Sequence, residues 1–293
     1  MLKRDRRTRK RGLTGDMISW DKTEPCYIIA FDFSINKTAC AVKDLNKDSE
    51  SDIELFYFPK HISKKDLELY RLKGVNVYPQ EIYEAPEAPE TVEESSLEYQ
   101  KAIECSYKLA GLIMHALEPY LKEPEHVYIA HEGYSFMSKG NSMLDLASYK
   151  AVLCSMLYAK GIPLDHFYTF PPSMIKKTIT GLVQKGGGSA KKEQVIEAAY
   201  ENSMYYTDQR KTRKHNRFLY SLRYPKLWLK APAYRNFRDG IDDLCDAYAC
   251  LRTFLFRHVD EKKYLTIPPS KDTAIKVDLK DNVEELLPCI IKE

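Results

Sequence analysis

The sequence predicts an α/β domain with a mixed β-sheet flanked by helices, and three observations lead to this prediction. Short apolar runs rich in β-branched and aromatic residues come first and suggest a meander of strands. Helical spacings and strand-like runs then alternate along the rest of the chain. The 293 residues, 44% of them hydrophobic, are enough to bury a substantial core. We therefore expect one globular domain.

The predicted strands are short and apolar. They are Cys26–Phe33, Thr38–Val42, Ile53–Phe58, Val127–Ala130 and Leu164–Phe170. The first run, CYIIAFDF, is apolar almost throughout, as in a strand that is buried on both faces. It contains one charged residue, Asp32, in a position where a charge is costly unless it is paired or used.

The predicted helices follow from apolar residues at helical spacing. They are Leu97–Leu121, Leu144–Lys160, Ala190–Tyr200 and Ile241–Phe256. The second of them is followed by Gly161 and then Pro163, which is good C-cap chemistry. No internal repeat is visible.

The net charge of +3 conceals three segments of strong and opposite charge. Residues 1–11 hold seven Lys or Arg and one Asp, within a basic arm at 1–24 that can contact phosphates or act as a nuclear address. Residues 48–104 hold fourteen acids and six bases, including a Pro/Glu stretch in an acidic insert at about 59–95. Residues 176–238 hold fifteen bases and four acids.

The basic segment ends in an insert at about 202–238, where aromatic residues alternate with Lys and Arg. Cations neutralise phosphates and flat rings stack on exposed bases, so this composition favours contact with nucleic acid. The alternative is a solvated loop anchored by core aromatics. Between the arm and a C-terminal extension at 257–293, residues 25–256 form the predicted domain.

Several classes of protein are excluded. No run approaches the ~20 apolar residues of a membrane span, and the basic N-terminus lacks the apolar segment of a signal peptide. The seven cysteines are odd in number and include no CxxC pair. Buried free thiols are therefore expected, together with an intracellular, reducing compartment. The cytoplasm and the nucleus both fit this expectation, and the interior of an organelle is a third candidate compartment.

Four carboxylates are the strongest chemical signal. Asp32 lies in the first strand, and Glu132 follows the strand VYIA. Asp243 and Asp246 are three residues apart, hence on one face of the last helix, whose opposite face is apolar. The adjacent Asp242 is an accessory acid, a helix N-cap or a first-turn acid stabilised by the helix dipole.

Like charges that converge raise each other's pKa, and divalent cations remove that penalty. A set of ligands made only of oxygen selects Mg²⁺, or Mn²⁺, over zinc. We therefore expect a divalent-metal site formed by these acids.

The order of these acids along the chain resembles the order found in the RuvC-like Holliday junction resolvases, which have the RNase H-like fold. The resemblance covers about 26–256 and includes HEGYSFMSKGNSMLDLASYKAVLCSMLYAKGIPL, PPSMIKKTITG and GGGSAKKEQV. It implies an α/β RNase H-like (ribonuclease H/RuvC) mixed sheet with insertions. It also implies a crossover junction endodeoxyribonuclease that nicks four-way DNA junctions by two-metal hydrolysis.

The resemblance assigns roles residue by residue. Asp32, Glu132, Asp243 and Asp246 are the implied metal ligands, two ions per site, and Lys192 joins them as a catalytic residue. Lys176 also matches a basic residue near the scissile phosphate. The DNA contacts that the resemblance implies are Lys176, Tyr134 and Phe136, although the spacing of the two aromatic residues differs from the family by one residue. The composition of the basic segment 176–238 adds further expected DNA contacts, namely Lys177, Lys191, Arg213, Lys214 and Arg217.

A homodimer is implied as well, because a four-way junction has two related cleavage points. The helix at 144–158 is the expected dimer face, and its residues can also be ordinary core. The expected face comprises Leu146, Tyr149, Val152, Leu153 and Met156.

Three alternatives stay open. The first is a nuclease of the same fold for other branched DNA, flaps or R-loops. The second is an actin-like sugar kinase, suggested by FDFSINKTACAV, although no later Asp-x-Gly-Gly loop follows. The third is a non-catalytic junction-binding protein, against which the complete set of four costly acids argues.

Overall fold

The computed structural model of the protein describes residues 17–47, 52–72, 74–81, 94–133, 141–180, 195–196, 198–199 and 240–259. Within these ranges the chain folds around one six-stranded sheet. Its strands are β1 (Tyr27–Asp32), β2 (Lys37–Asp44), β3 (Glu54–Pro59), β4 (Val75–Val77), β5 (Val127–Glu132) and β6 (Phe167–Phe170). Their spatial order is β4-β3-β2-β1-β5-β6.

The sheet is mixed, and its directions define the fold. β1, β2 and β3 form an antiparallel meander. β5 then pairs parallel to β1, and β6 parallel to β5, through helical crossovers. The short β4 adds a parallel edge strand beside β3. A meander of three strands extended by two parallel strands beside its first member is the RNase H-like arrangement, so the predicted α/β fold class is confirmed.

Helices cover both faces of the sheet. They are α1 (Lys64–Leu72), α2 (Glu94–Leu117), α3 (Asn141–Ala159), α4 (Pro172–Thr180) and α5 (Ile241–Phe254). Side chains alternate across a strand, so Ile29 and Phe31 pack into the core beneath α2 and α3, while Ile28 and Ala30 pack into the core that contains α4 and α5. Burial on both faces explains why β1 is apolar from Tyr27 to Phe31.

Most of the predicted elements are present, with ends displaced by a few residues. α3 ends before Gly161, whose φ of +116° is the left-handed conformation expected at that cap. α1 and β4 were not predicted, because they are short and lie in the segment read as an acidic insert. α4 was also not predicted; its first residue is Pro172, a position that proline favours in helices.

Part of the predicted organisation lies outside the described residues. This applies to the insert at 202–238, the extension beyond Val259 and most of the predicted helix at 190–200, of which Val195, Ile196, Ala198 and Ala199 are helical. The described part of the arm includes Ile18 and Trp20, both packed against the core.

The expected dimer face of α3 is corrected for two residues. Tyr149 and Leu153 are completely buried in the chain's own core, so they have no surface to offer a second copy. Leu146, Val152 and Met156 are partly buried against the same core. The alternative reading of these residues as core therefore holds for Tyr149 and Leu153.

Six cysteines fall in the described ranges, and all of them are free. Four are buried as expected, whereas Cys105 and Cys154 are only partly buried. Among the described helices, none combines the length and the apolar character that a membrane crossing requires.

Candidate active site

Asp32 and Glu132 lie side by side at one edge of the sheet. They are the last residues of β1 and β5, two parallel neighbours whose register pairs Phe31 with His131. Asp32 has the same parity as Ile28 and Ala30, and Glu132 the same parity as Tyr128 and Ala130, so both carboxylates face the core that contains α5.

Helix α5 brings the other acids to this edge. It packs across β1 and β2, and its buried residues include Leu244, Ala247, Tyr248, Leu251 and Phe254. Those five form the predicted apolar face. Asp243 and Asp246 lie on the other side, three residues apart, with Asp242 and Asp243 in the first turn.

The start of α5 is set by Gly240 and not by an acid. Gly240 is the N-cap residue, with a φ of +94°, and no side chain caps the helix. Asp242 is therefore a first-turn acid, where the helix dipole favours negative charge, and its reading as a cap is wrong. A Cβ on Gly240 would lie 2.4 to 2.7 Å from atoms of the Tyr57 ring in β3, so the helix approaches the sheet as closely as glycine permits.

The five acids interact electrostatically around Asp32. Burial raises the pKa of Asp32 well above its usual range, and the charges of Asp246, Asp243, Glu132 and Asp242 raise it further, in that order. Burial also raises the pKa of Glu132, which the cations of Lys176 and Lys150 lower in part. The structure thus brings the predicted acids from three separate elements into one electrostatic cluster.

Direct ligation is a stricter criterion than electrostatic interaction, because Coulomb forces between poorly solvated charges extend beyond contact distance. Within the part of the chain that the structure describes, no three acidic, histidine or cysteine side chains are arranged as a group that could hold a metal ion. The donor chemistry nevertheless fits a hard divalent cation. The donors are all carboxylate oxygens, and a cation would offset the repulsion that opposes ionisation of Asp32.

The predicted DNA-contacting residues are only partly described. Lys176 lies in α4, is partly exposed and acts on Glu132 through its charge, while its neighbour Lys177 is exposed. The remaining predicted residues lie outside the described ranges. These are Tyr134, Phe136, Lys191, Lys192, Arg213, Lys214 and Arg217.

Sequence reasoning missed the residues that support the two strand ends from behind. Lys150 of α3 is buried and donates to the backbone carbonyl oxygen of Glu132 over 2.6 Å. His131 lies within 3.2 Å of Thr169 in β6, measured from Nε2 to Oγ1, and burial lowers its pKa to about 4, so the ring is neutral at pH 7. The signal in the sequence that could have identified Lys150 is a lysine between Tyr149 and Leu153, two core residues of the same helix.

Similarity to known proteins is found in the structure of the chain and not in its sequence. No protein-family model and no curated protein matches the chain. In structure the chain is similar to RuvC of Thermus thermophilus, at 13% identity over 77% of this chain and 95% of that chain, with a TM-score of 0.37. It is also similar to T. thermophilus RuvC in complex with Holliday junction substrate, at 11% identity over 78% and 94% of the two chains, again with a TM-score of 0.37.

Proposed function

We propose that this chain is a Holliday junction resolvase, a divalent-metal-dependent endonuclease that nicks four-way DNA junctions. The observation that carries the proposal is the electrostatic cluster of acids around Asp32, assembled from β1, β5 and α5. A protein gains no stability from gathering acids at a buried strand end, because each one opposes the ionisation of the others. Such a cluster is therefore best explained by a cation that it binds.

Asp32, Glu132, Asp243 and Asp246 would hold Mg²⁺ or Mn²⁺, with Asp242 as an accessory acid. When bound, a pair of such ions supplies an activated water and stabilises the leaving oxygen in phosphodiester hydrolysis. The chain's own contribution is to orient the four carboxylates. Lys176, whose charge acts on Glu132, would attract a phosphate toward these acids.

The DNA partner is inferred from charge and chemistry. Basic residues around the site would neutralise phosphates, while aromatic residues would stack on bases exposed at a branch point. The proposed contacts beyond Lys176 are Lys177, Lys191, Lys192, Tyr134, Phe136, Arg213, Lys214 and Arg217. Two symmetric cuts in one junction also call for a homodimer, whose interface must use surface other than Tyr149 and Leu153.

Asp243→Asn is expected to lower the cleavage rate at least about a thousandfold, equivalent to about 4 kcal/mol, because a neutral amide replaces a metal-binding carboxylate. The measurement compares a labelled four-way junction, a flap and a plain duplex in Mg²⁺ and in Mn²⁺. Asp165→Asn, at a position before β6 away from the acid cluster, serves as the control and should cut like the wild type.

Two outcomes would count against parts of the proposal. Equal cutting by Asp243→Asn and the wild type would contradict the assigned site. Faster cutting of the flap than of the junction would keep the nuclease but replace the resolvase by a nuclease for other branched DNA.

Deletion of residues 1–11 is expected to weaken junction binding and to reduce its dependence on salt. The segment carries seven bases, and each phosphate that a protein neutralises adds about 0.9 to the slope of log K against log salt concentration. Binding is measured by titration at several salt concentrations with catalysis prevented by EDTA. An unchanged affinity and slope would show that the arm contacts no phosphate and would favour its reading as a nuclear address.

A further inference from the structure

Lys150 lies behind the acid cluster, on the opposite face of the sheet. It belongs to α3, and its side chain is only 7% exposed. The acids face α5, whereas Lys150 reaches the end of β5 from the core beneath α2 and α3 and donates from Nζ to the carbonyl oxygen of Glu132 at 2.6 Å. A charged donor makes this one of the stronger hydrogen bonds available to a backbone carbonyl.

The same ammonium group also contacts the end of β1. Its Nζ lies 5.3 Å from the centre of the Phe33 ring, a cation–π distance, and Phe33 follows Asp32 directly. The Lys150 side chain therefore contacts both neighbouring strand ends. At β5 it contacts Glu132, a predicted ligand, and at β1 it contacts Phe33, the residue next to the predicted ligand Asp32.

Neighbouring contacts attach α3 and β6 to the same strand ends. Tyr149, which precedes Lys150, packs edge-on against Phe33 at 5.7 Å between ring centres. The Tyr149 hydroxyl lies 3.0 Å from Oγ1 of Thr38 at the start of β2, so α3 is attached to the meander next to the site. The backbone N–H of Gly133 donates to Phe170 in β6 at 2.8 Å, which ties the other side of the β5 end.

We propose that Lys150 is a positioning residue for the proposed nuclease site, holding the end of β5 against the end of β1 so that Glu132 and Asp32 are correctly spaced for a shared divalent cation. The inference rests on the proposed function. Lys150 is too deeply buried to bind a phosphate, and its contact with Glu132 is through the backbone, so it acts through Glu132 and not on the substrate.

The discriminating variant is Lys150→Met, which keeps the long apolar stem but removes the donor. A lysine that merely fills the core would tolerate this change. Groups that orient metal ligands from behind typically contribute about 10- to 100-fold to metal affinity or activity. We expect a loss of that size in the cleavage rate, unchanged affinity for the junction measured in EDTA, and substantial recovery in Lys150→Arg.

Metal binding to the DNA-free protein distinguishes two effects of losing the Lys150 ammonium group, the loss of its charge and the loss of its hydrogen bond to Glu132. Removing a nearby positive charge would by itself strengthen cation binding. Positioning predicts the opposite result, namely weaker binding of Mn²⁺ to Lys150→Met in calorimetric titration. The exposed Lys160, one residue beyond the end of α3, provides the matched control, and Lys160→Met should bind Mn²⁺ like the wild type.

Hydrogen exchange at the amide of Gly133 tests, without metal or DNA, whether Lys150 restrains the end of β5. Exchange in Lys150→Met should be faster than in the wild type, because the strand end that this amide anchors is less restrained. Unchanged exchange together with equal or tighter Mn²⁺ binding would overturn the inference.

If the wild type binds no metal and cuts no DNA, the proposed function fails, and the exchange measurement alone still decides the role of Lys150. If Lys150→Met does not fold, Lys150→Gln is measured in its place against the same outcomes.

Discussion

Asp32→Asn is expected to abolish cleavage and, at the same time, to stabilise the metal-free protein. The carboxylate is partly buried at the end of β1, and desolvation and four neighbouring acids oppose its ionisation. A neutral amide of the same shape removes both costs. Relief of such strain in an active site commonly adds about 0.5 to 2 kcal/mol to the free energy of unfolding, at the expense of function.

The pH dependence of this stability has a definite sign. The pKa of Asp32 is raised in the folded protein above its ordinary value of 3.8, so the folded state holds the proton more tightly than the unfolded chain. The contribution of Asp32 is therefore most favourable below 3.8 and is lost as the pH rises through the raised folded-state pKa. In Asp32→Asn this loss should be absent.

The measurement is urea unfolding in EDTA over a series of pH values, repeated with Mg²⁺. A bound ion stabilises the folded state, by about 2.7 kcal/mol at a concentration about 100 times its dissociation constant. This increase should occur in the wild type and not in Asp32→Asn.

Asp21 provides the control acid for both measurements. Its pKa is lowered by hydrogen bonds from the backbone and the side chain of Thr23, so its linkage has the opposite sign. Asp21→Asn should leave cleavage unchanged. A variant Asp32→Asn that is less stable than the wild type in EDTA at neutral pH would contradict the electrostatic account of the cluster.

Gly240→Ala is expected to destabilise the protein by about 2 to 5 kcal/mol, the sum of a left-handed backbone penalty and an overpacked contact. The φ of Gly240 is +94°, and the added methyl group would lie 2.4 Å from the nearest atom of the Tyr57 ring. Because Gly240 is the N-cap residue of α5, relief of the clash must move the first turn that carries Asp242 and Asp243. Cleavage should therefore fall further than the loss of folded protein explains.

Two comparisons test this account. A methyl group added at Gly111 in α2 would meet nothing within 4 Å, and the φ of this glycine is not positive, so Gly111→Ala should stabilise the protein by about 0.5 to 1 kcal/mol. Combining Gly240→Ala with Tyr57→Leu removes the outer ring atoms, so the double variant should lose less stability than the two single changes together. Additive losses would show that the Tyr57 contact is not the cause.

Much of the fold could be predicted because local sequence patterns specify most of its strands and helices. A buried strand such as β1 is apolar along almost its whole length, and the helical spacing of α5 places Asp243 and Asp246 on one face whatever surrounds them. The order of strands then restricts the sheet to a few arrangements. α1 and β4 escaped prediction because they are short, and the packing of Tyr70 against Tyr57, at 5.6 Å between ring centres, is a tertiary contact with no local signal.

The sequence by itself determined which residues are acidic, which runs are strands and which helix carries paired aspartates. Only the tertiary structure decided that Asp32 and Glu132 face α5, because alternation along a strand defines two faces without saying which helix covers either. The same holds for Gly240 beneath Tyr57 and for Lys150 behind Glu132. These contacts join residues far apart in the chain, so their physical cause is packing between elements and not the preference of any segment.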